Sequence, residues 1–312
     1  MAAGAISADG KTQFALHNEL THSEEGADAV TARIARMVEE VIADACAATG
    51  ASRADFLGVG VGAPGPLDRA SGLVVVAPNL KWNNYPLAPN VEALVRLPVL
   101  LDNDANCATL GEWWMGAGRG TRHMVGLTIG TGIGGGLIID GRLYHGASDV
   151  AGEIGHTTIE TQGRRCACGN YGCLEAYASG PAIAERAREA LVADGESQIA
   201  RRVGGDVSRI TAQTVYEAAD DGDAVALEVV RDTARFLGAG VANLLNVFNP
   251  QIVVLAGGVT AAGDNLFEPL RTEVRRRAFR PAWEATRIVP GELGSTAGVV
   301  GAGAMFLQAR AG

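Results

Sequence analysis

The 312-residue sequence predicts an α/β fold, and three features point there. Strand-like and helix-like patterns alternate along the chain, with no low-complexity tract and no repeat of solenoid period. Short apolar runs such as FLGVGVGAPG and QIVVLAGGV end in glycine or proline, as buried strands do where they enter a turn. Longer stretches between them carry apolar residues at helical spacing.

Taken in order, GADAVTARIARMVEEVIADACAATG places Val30, Ile34, Val38, Val41 and Ile42 on one helix face, and Gly50 closes the helix. FLGVGVGAPG is a short buried strand. LPVLLDNDANCATLGEWWMGAG reads as a strand over Val99–Leu101, a polar turn, then a helix from about Ala105. HMVGLTIGTGIGGGLIIDGRLYHG reads as two strands joined through a glycine loop, with Asp140-Gly141 as a hairpin turn. Helices follow over Pro181–Ala193 and from about Asp223 to Val247, the second stopped by Asn249-Pro250. QIVVLAGGV is again a strand, and the chain finishes with a helix over Thr296–Arg310. A polar turn and the Gly116, Gly118, Gly120 cluster place a domain division near residues 105 to 120. The expected domains are 1–115 with 297–312, and 116–296.

Composition excludes several function classes. With 47% hydrophobic and 20% charged residues the chain is ordinary for a globular protein. A net charge of -9 and a pI near 5.1 repel phosphate backbones and anionic lipid, so neither nucleic acid nor a membrane is an expected partner. No apolar run has spanning length, and MAAGAISADG lacks the basic start and apolar stretch of a signal peptide. Five cysteines, three of them clustered, suit a reducing cytoplasm better than a disulfide framework.

Three polar groupings carry candidate chemistry. Cys166, Cys168 and Cys173 lie on a loop whose Gly169 and Gly172 permit tight turns, and with one imidazole they make a closed tetrahedral set suited to structural zinc. His156 is the nearest upstream candidate, with His123 and His145 as substitutes. Gly130, Thr131, Gly132, Gly134 and Gly135 form a glycine loop whose backbone N–H groups can approach an anion, although a tight turn explains such a run equally well. It is neither a dinucleotide fingerprint nor a Walker sequence. In LLDNDAN, Asp102, Asn103, Asp104 and Asn106 crowd the carboxyl end of a strand, where α/β proteins place ligands. One of them is expected to cap the helix. Glu153, His156 and Glu175 add polar groups among glycine and alanine, and Gly257-Gly258 follows the strand Ile252–Leu255.

In this order VGAPGPLD, LLDNDANCATLGE, TIGTGIGGGLIIDG, AGEIGH, CACGNYGCLE and IVVLAGGV resemble the ROK family of bacterial sugar kinases and sugar-responsive repressors, its glucokinases above all. The resemblance runs from about residue 2 to 308. It implies the actin-like ATPase fold, which is ribonuclease H-like, with two α/β domains around a cleft and the last helix returning to the first domain. It also implies that Asp104 is the general base acting on the sugar 6-hydroxyl, and that Asn103, Glu153, His156 and Glu175 hold sugar hydroxyls. The same resemblance assigns Gly130–Gly136 to the ATP phosphates, Gly257 and Gly258 to the adenosine, and His156, Cys166, Cys168 and Cys173 to zinc.

One element of the family pattern is not in this sequence. The family has a strand and an Asp-x-Gly-Gly-Thr phosphate and magnesium loop ahead of the strand that AAGAIS resembles, and no such loop precedes Gly26. The first domain is therefore expected to lack its first strand, leaving open edges on the strands Ala2–Ser7 and Phe56–Gly62. The activity implied is ATP- and Mg2+-dependent phosphorylation of a hexose, glucose first, by a cytoplasmic homodimer or homotetramer carrying structural zinc. Two other readings are a sugar-sensing repressor on the same scaffold and a catalytically silent sugar-binding remnant.

Overall fold

The computed structural model describes residues 1–193 and 197–311. Its elements follow in chain order: β1 (Ala2–Ile6), β2 (Gln13–Asn18), α1 (Ala27–Thr49), β3 (Val59–Ala63), β4 (Leu67–Asp68), β5 (Leu73–Ala77), β6 (Trp82–Tyr85), α2 (Leu87–Val95), β7 (Val99–Asn103) and α3 (Asp104–Trp114). Then come β8 (Met124–Ile129), β9 (Ile133–Ile139), β10 (Arg142–Leu143), α4 (Glu175–Ala178), α5 (Gly180–Ala193), α6 (Gln198–Arg202), α7 (Ala212–Asp220) and α8 (Ala224–Phe248). The last are β11 (Ile252–Ala256), α9 (Asp264–Arg277), α10 (Arg280–Ala285), β12 (Arg287–Pro290) and α11 (Ala297–Ala311). The chain forms two compact units: Met1–Arg122 with Gly136–Gly152 and Glu292–Gly312, and His123–Gly135 with Glu153–Gly291. No described helix is long and apolar enough to cross a membrane.

In the first unit, α1 begins at Ala27 and ends where Gly50 turns left-handed at φ 75° and its N–H returns to the Cys46 carbonyl. Val30 is buried and Ile34 and Val38 pack beside it, in a core shared with Val61, Val74, Leu87, Val91 and Leu101. β3 and β7 run parallel, Ala63 opposite Asn103, so their carboxyl ends lie side by side. β4, β5 and β6 form an antiparallel meander, and β1 pairs antiparallel with β2. β1 and β3 do not pair with each other, and residues from both line an apolar cavity of about 720 Å³. The two open edges expected from the sequence are therefore present.

The approach of α3 to α11 fixes where α3 starts. A Cβ on Gly111 would lie 2.2 Å from the Ala297 carbonyl oxygen, and one on Gly301 would lie 1.6 Å from that of Cys107. Neither backbone can retreat without moving its helix, so glycine is required at both points. Glu112, buried at the end of α3, accepts the N–H groups of Ala117, Glu292 and Leu293 and ties the same helix to the segment leading into α11.

The second unit is organised on β8, β11 and β12, which run parallel with β11 between the other two. β11, flanked on both sides, is buried at four of its five positions, as its unbroken IVVLA run requires. α8 is anchored by Asp223, which accepts the Ala226 N–H, and ends where Asn249 turns left-handed ahead of Pro250. In the Gly136–Gly152 segment of the first unit, Asp140 and Gly141 both have positive φ and make the tight turn between β9 and β10.

Gly301→Ala is expected to lower the unfolding free energy by about 1–3 kcal/mol, the usual cost of overpacking, and by more if α11 is displaced. Urea titration checks this, and unchanged stability would mean that the two helices separate freely.

Candidate functional site

The turn from β7 into α3 distributes its polar residues among distinct tasks. Asn103 is the helix cap: its Oδ1 accepts from Ala105 N at 2.9 Å and from Asn106 N at 3.3 Å. Its Nδ2 has a long contact of 3.5 Å to the Gly65 carbonyl, leaving most of the amide's donor capacity open. Asp102 is 1% exposed and wholly engaged. Its Oδ1 accepts from Asn103 N at 2.8 Å and Asn106 Nδ2 at 2.9 Å, and its Oδ2 lies 2.7 Å from His145 Nε2. Burial pushes the Asp102 carboxyl upward, but the hydrogen bond and charge of His145, with Arg69 and Asn106, outweigh it and hold the group below the ordinary range. Asp104 differs. One of its oxygens accepts from Ala105 N at 2.8 Å, and the other has no partner among the described residues. Desolvation raises its carboxyl above the ordinary range against the pull of that backbone N–H. A proton acceptor of raised basicity with an oxygen to spare has the properties of a general base.

In the second unit, the parallel register sets Ala256 of β11 opposite Thr128 of β8, so Gly130–Gly132 and Gly257-Gly258 emerge from adjacent strand ends. Gly257 has φ 99°, and a Cβ there would lie 2.4 Å from the Ile129 carbonyl oxygen, so only glycine brings the two ends this close. Gly130 N donates to Gly132 O at 2.9 Å, and Gly180 N donates to Gly130 O at 2.8 Å. The N–H groups of Thr131 and Gly132 and the Thr131 hydroxyl have no partner among the described residues, and Thr131 is exposed. Adjacent free amides at a strand end suit a phosphate. The glycine-rich run is divided, however. Gly134 and Gly135, expected in the loop, lie within β9, because Glu175 Oε2 takes the Ile133 N–H at 2.9 Å and the strand begins there.

The cysteine loop closes around a common point. The ligand atoms of His156, Cys166, Cys168 and Cys173 all lie within 4.8 Å of one another. Cys168 Sγ is 3.7 Å from Cys173 Sγ, and Cys166 Sγ is 3.7 Å from His156 Nδ1. Tetrahedral zinc with bonds of about 2.0–2.3 Å separates its ligands by about 3.6–3.8 Å, so the residues present fit the ion. His145, one of the substitute ligands, is instead engaged with Asp102. His156 Nε2 points to the other side, 3.8 Å from Glu153 Oε2, and Cys166 Sγ is 3.6 Å from Glu175 Oε1. Glu153, His156, the cysteine loop, Glu175 and the glycine loop are thus joined by direct contacts within one unit. Asn103 and Asp104 belong to the other. The engagement of Asp102 with His145 and Arg69 left no local signal in the sequence, since nothing near Asp102 announces partners so distant along the chain.

Comparison with known proteins supplies an independent reading. Residues 9–309 match the family model described as ROK family. A glucokinase of Halalkalibacterium halodurans is 39% identical over 292 residues, 92% of this chain and 86% of that protein. A putative xylose repressor of Caldicellulosiruptor is 37% identical over 268 residues, 86% of this chain and 67% of that protein. Among solved structures, a ROK family glucokinase from Streptomyces griseus, crystallised with glucose and AMPPNP, superposes with a TM-score of 0.83 at 35% identity, covering 98% of this chain and 96% of its own.

Two outcomes are expected of this geometry. Chelator-free protein should carry about one zinc per chain, and Cys168→Ser should lower both metal content and melting temperature, because a structural site contributes folding energy directly. Elemental analysis showing no zinc would refute it. For Asp104, a folded pKa raised above the unfolded one means that ionisation weakens the fold. Asp104→Asn should therefore be slightly more stable than the parent at neutral pH, the gain being small because Asp104 is exposed, and the difference should close as pH falls below the ordinary aspartate value of about 3.9. Denaturation at several pH values measures this gap.

Proposed function

The chain belongs to the ROK family and has its actin-like ATPase fold, and on that footing we propose that it is an ATP-dependent sugar kinase acting on a hexose, with glucose the first candidate. The observation that carries the reading is Asp104: of the polar residues crowding the start of α3, it alone keeps a carboxylate oxygen that the fold does not use. Phosphoryl transfer asks chiefly for alignment, charge neutralisation and a base to orient the nucleophile. In this reading Asp104 accepts the proton of the sugar 6-hydroxyl as the hydroxyl oxygen attacks the γ-phosphorus, and the bond from that phosphorus to the β–γ bridging oxygen breaks, with ADP leaving. The Asn103 amide and the carboxylates of Glu153 and Glu175 hold other sugar hydroxyls, together with His156 Nε2. The free amides of Thr131 and Gly132 take phosphate charge, Gly257 and Gly258 leave room for the nucleoside, and Mg2+ arrives on the nucleotide's phosphates. Zinc held by His156, Cys166, Cys168 and Cys173 would rigidify the loop carrying His156 and Glu175 and take no part in the transfer. The cytoplasm, where ATP is found and thiols stay reduced, is the matching compartment.

A sugar-responsive repressor on the same scaffold is the second reading, supported by the likeness to the putative xylose repressor. The kinase reading is favoured because Asp104 keeps a carboxylate oxygen that phosphoryl transfer can use and that sugar binding alone does not need. A chain that binds sugar without turnover is the third possibility, and calorimetry with glucose and AMPPNP beside a coupled assay separates it from a kinase.

Asp104→Asn should lower kcat by about 100-fold to 10,000-fold while glucose affinity stays near that of the parent, since the amide keeps the shape and hydrogen bonding. Near-normal kcat in that variant would reduce Asp104 to a helix-start residue.

A further inference from the structure

His145, weighed as a zinc ligand, and Asp102, weighed as one acid among several, are used by neither the metal cluster nor the proposed transfer. They meet each other instead. Asp102 Oδ2 is 2.7 Å from His145 Nε2, and the side chains are 1% and 16% exposed. Arg69 brings its Nε to 3.1 Å from the same oxygen, an ion pair without hydrogen-bond alignment. Arg69 also engages Asp149, through its backbone N–H at 3.3 Å and its guanidinium at 3.7 Å. Ala151 N donates to the His145 carbonyl at 3.0 Å and closes the 145–151 segment. One buried carboxylate therefore joins three parts of the first unit: the turn after β4, the segment after β10 and the start of α3.

The chemistry fixes the roles of the atoms. An ionised carboxylate only accepts, so His145 must present an N–H at Nε2. On the opposite oxygen, Asp102 holds Asn103 N and Asn106 Nδ2 and so determines the backbone path immediately before Asp104. We propose that Asp102 and His145 are a positioning pair for Asp104: the imidazole locks the Asp102 carboxylate, and the carboxylate locks the turn that aims the base. The Asn103 cap holds the turn through Ala105 N at 2.9 Å and Asn106 N at 3.3 Å, and Asp102 fixes the backbone that presents that cap. A base displaced by about 1 Å costs on the order of 100-fold in rate. The catalytic half of this inference rests on the kinase reading above, while the structural half does not.

The test uses the full chain with His145→Phe, which removes the donor, and His145→Gln, whose amide N–H can reach toward the same oxygen. In His145→Phe, hydrogen exchange at the amides of Asn103, Ala105 and Asn106 should accelerate at least about tenfold, with exchange in β8 and β11 unchanged. Turnover of glucose should fall about 10-fold to 100-fold at unchanged binding stoichiometry for glucose and AMPPNP, and His145→Gln should recover most of both effects. Unchanged local exchange in His145→Phe would overturn the proposal. So would loss of binding stoichiometry in step with turnover, which is what a merely structural role produces. If the parent chain fails to turn over any hexose, the kinase reading falls, and the exchange measurement alone still decides whether the pair positions the turn.

Discussion

A carboxylate that is 1% exposed has to be surrounded by donors or it cannot remain ionised, and Asp102 meets that requirement from both of its oxygens. Its partners come from the turn after β4, from the segment after β10 and from its own helix start, so satisfying one charge sets the relative position of three chain segments. That constraint is also what leaves Asp104 distinctive. With Asn103 Oδ1 used as a cap and Asp102 and Asn106 bound to each other, Asp104 is the carboxylate that keeps an oxygen the fold does not use. Stability and candidate chemistry are divided between two carboxylates of one turn, Asp102 and Asp104.

Glu175 plays a comparable joining role in the second unit. One oxygen takes the first amide of β9 and the other lies against Cys166, so the start of the glycine-turn strand and the cysteine loop share one carboxylate. A metal in the cysteine cluster would stiffen both at once, because His156 and Glu175 are held at opposite ends of the same short stretch. In the kinase reading proposed above, an ion held there would steady groups that face the sugar without a place in the transfer itself.

Close backbone approach is the third recurring device. Gly111 and Gly301 bring α3 and α11 together, and Gly257 brings the end of β11 onto β8. In each case the Cβ of any other residue would meet a carbonyl oxygen that cannot move alone. The contrast is between β1 and β3, where the approach of neighbours stops: their facing sides line an apolar cavity, and both strands are less buried than β11.

The sequence by itself determined the α/β class, the long helices and the core strands, because 3.6-residue and two-residue periodicities are local properties that burial on one face or two imposes directly. α1, α5, α8 and α11 and the strands β3, β7, β8 and β11 were legible in this way, with Gly50 and Asn249-Pro250 marking ends. The cysteine loop was legible from residue type and spacing as a candidate metal set with His156 as first choice among three histidines, and the fold brings His156 to the three thiols. The glycine run was legible as a turn, but its length was not: Gly134 and Gly135 lie in β9, whose first amide, at Ile133, is taken by Glu175, 42 residues away. Likewise, the engagement of Asp102 at the start of α3 was decided by His145, 43 residues beyond it. Periodicity reports what a residue's immediate neighbours require. The partner of a buried polar group is chosen by whatever the tertiary fold carries to it, and that choice is made only when distant segments meet.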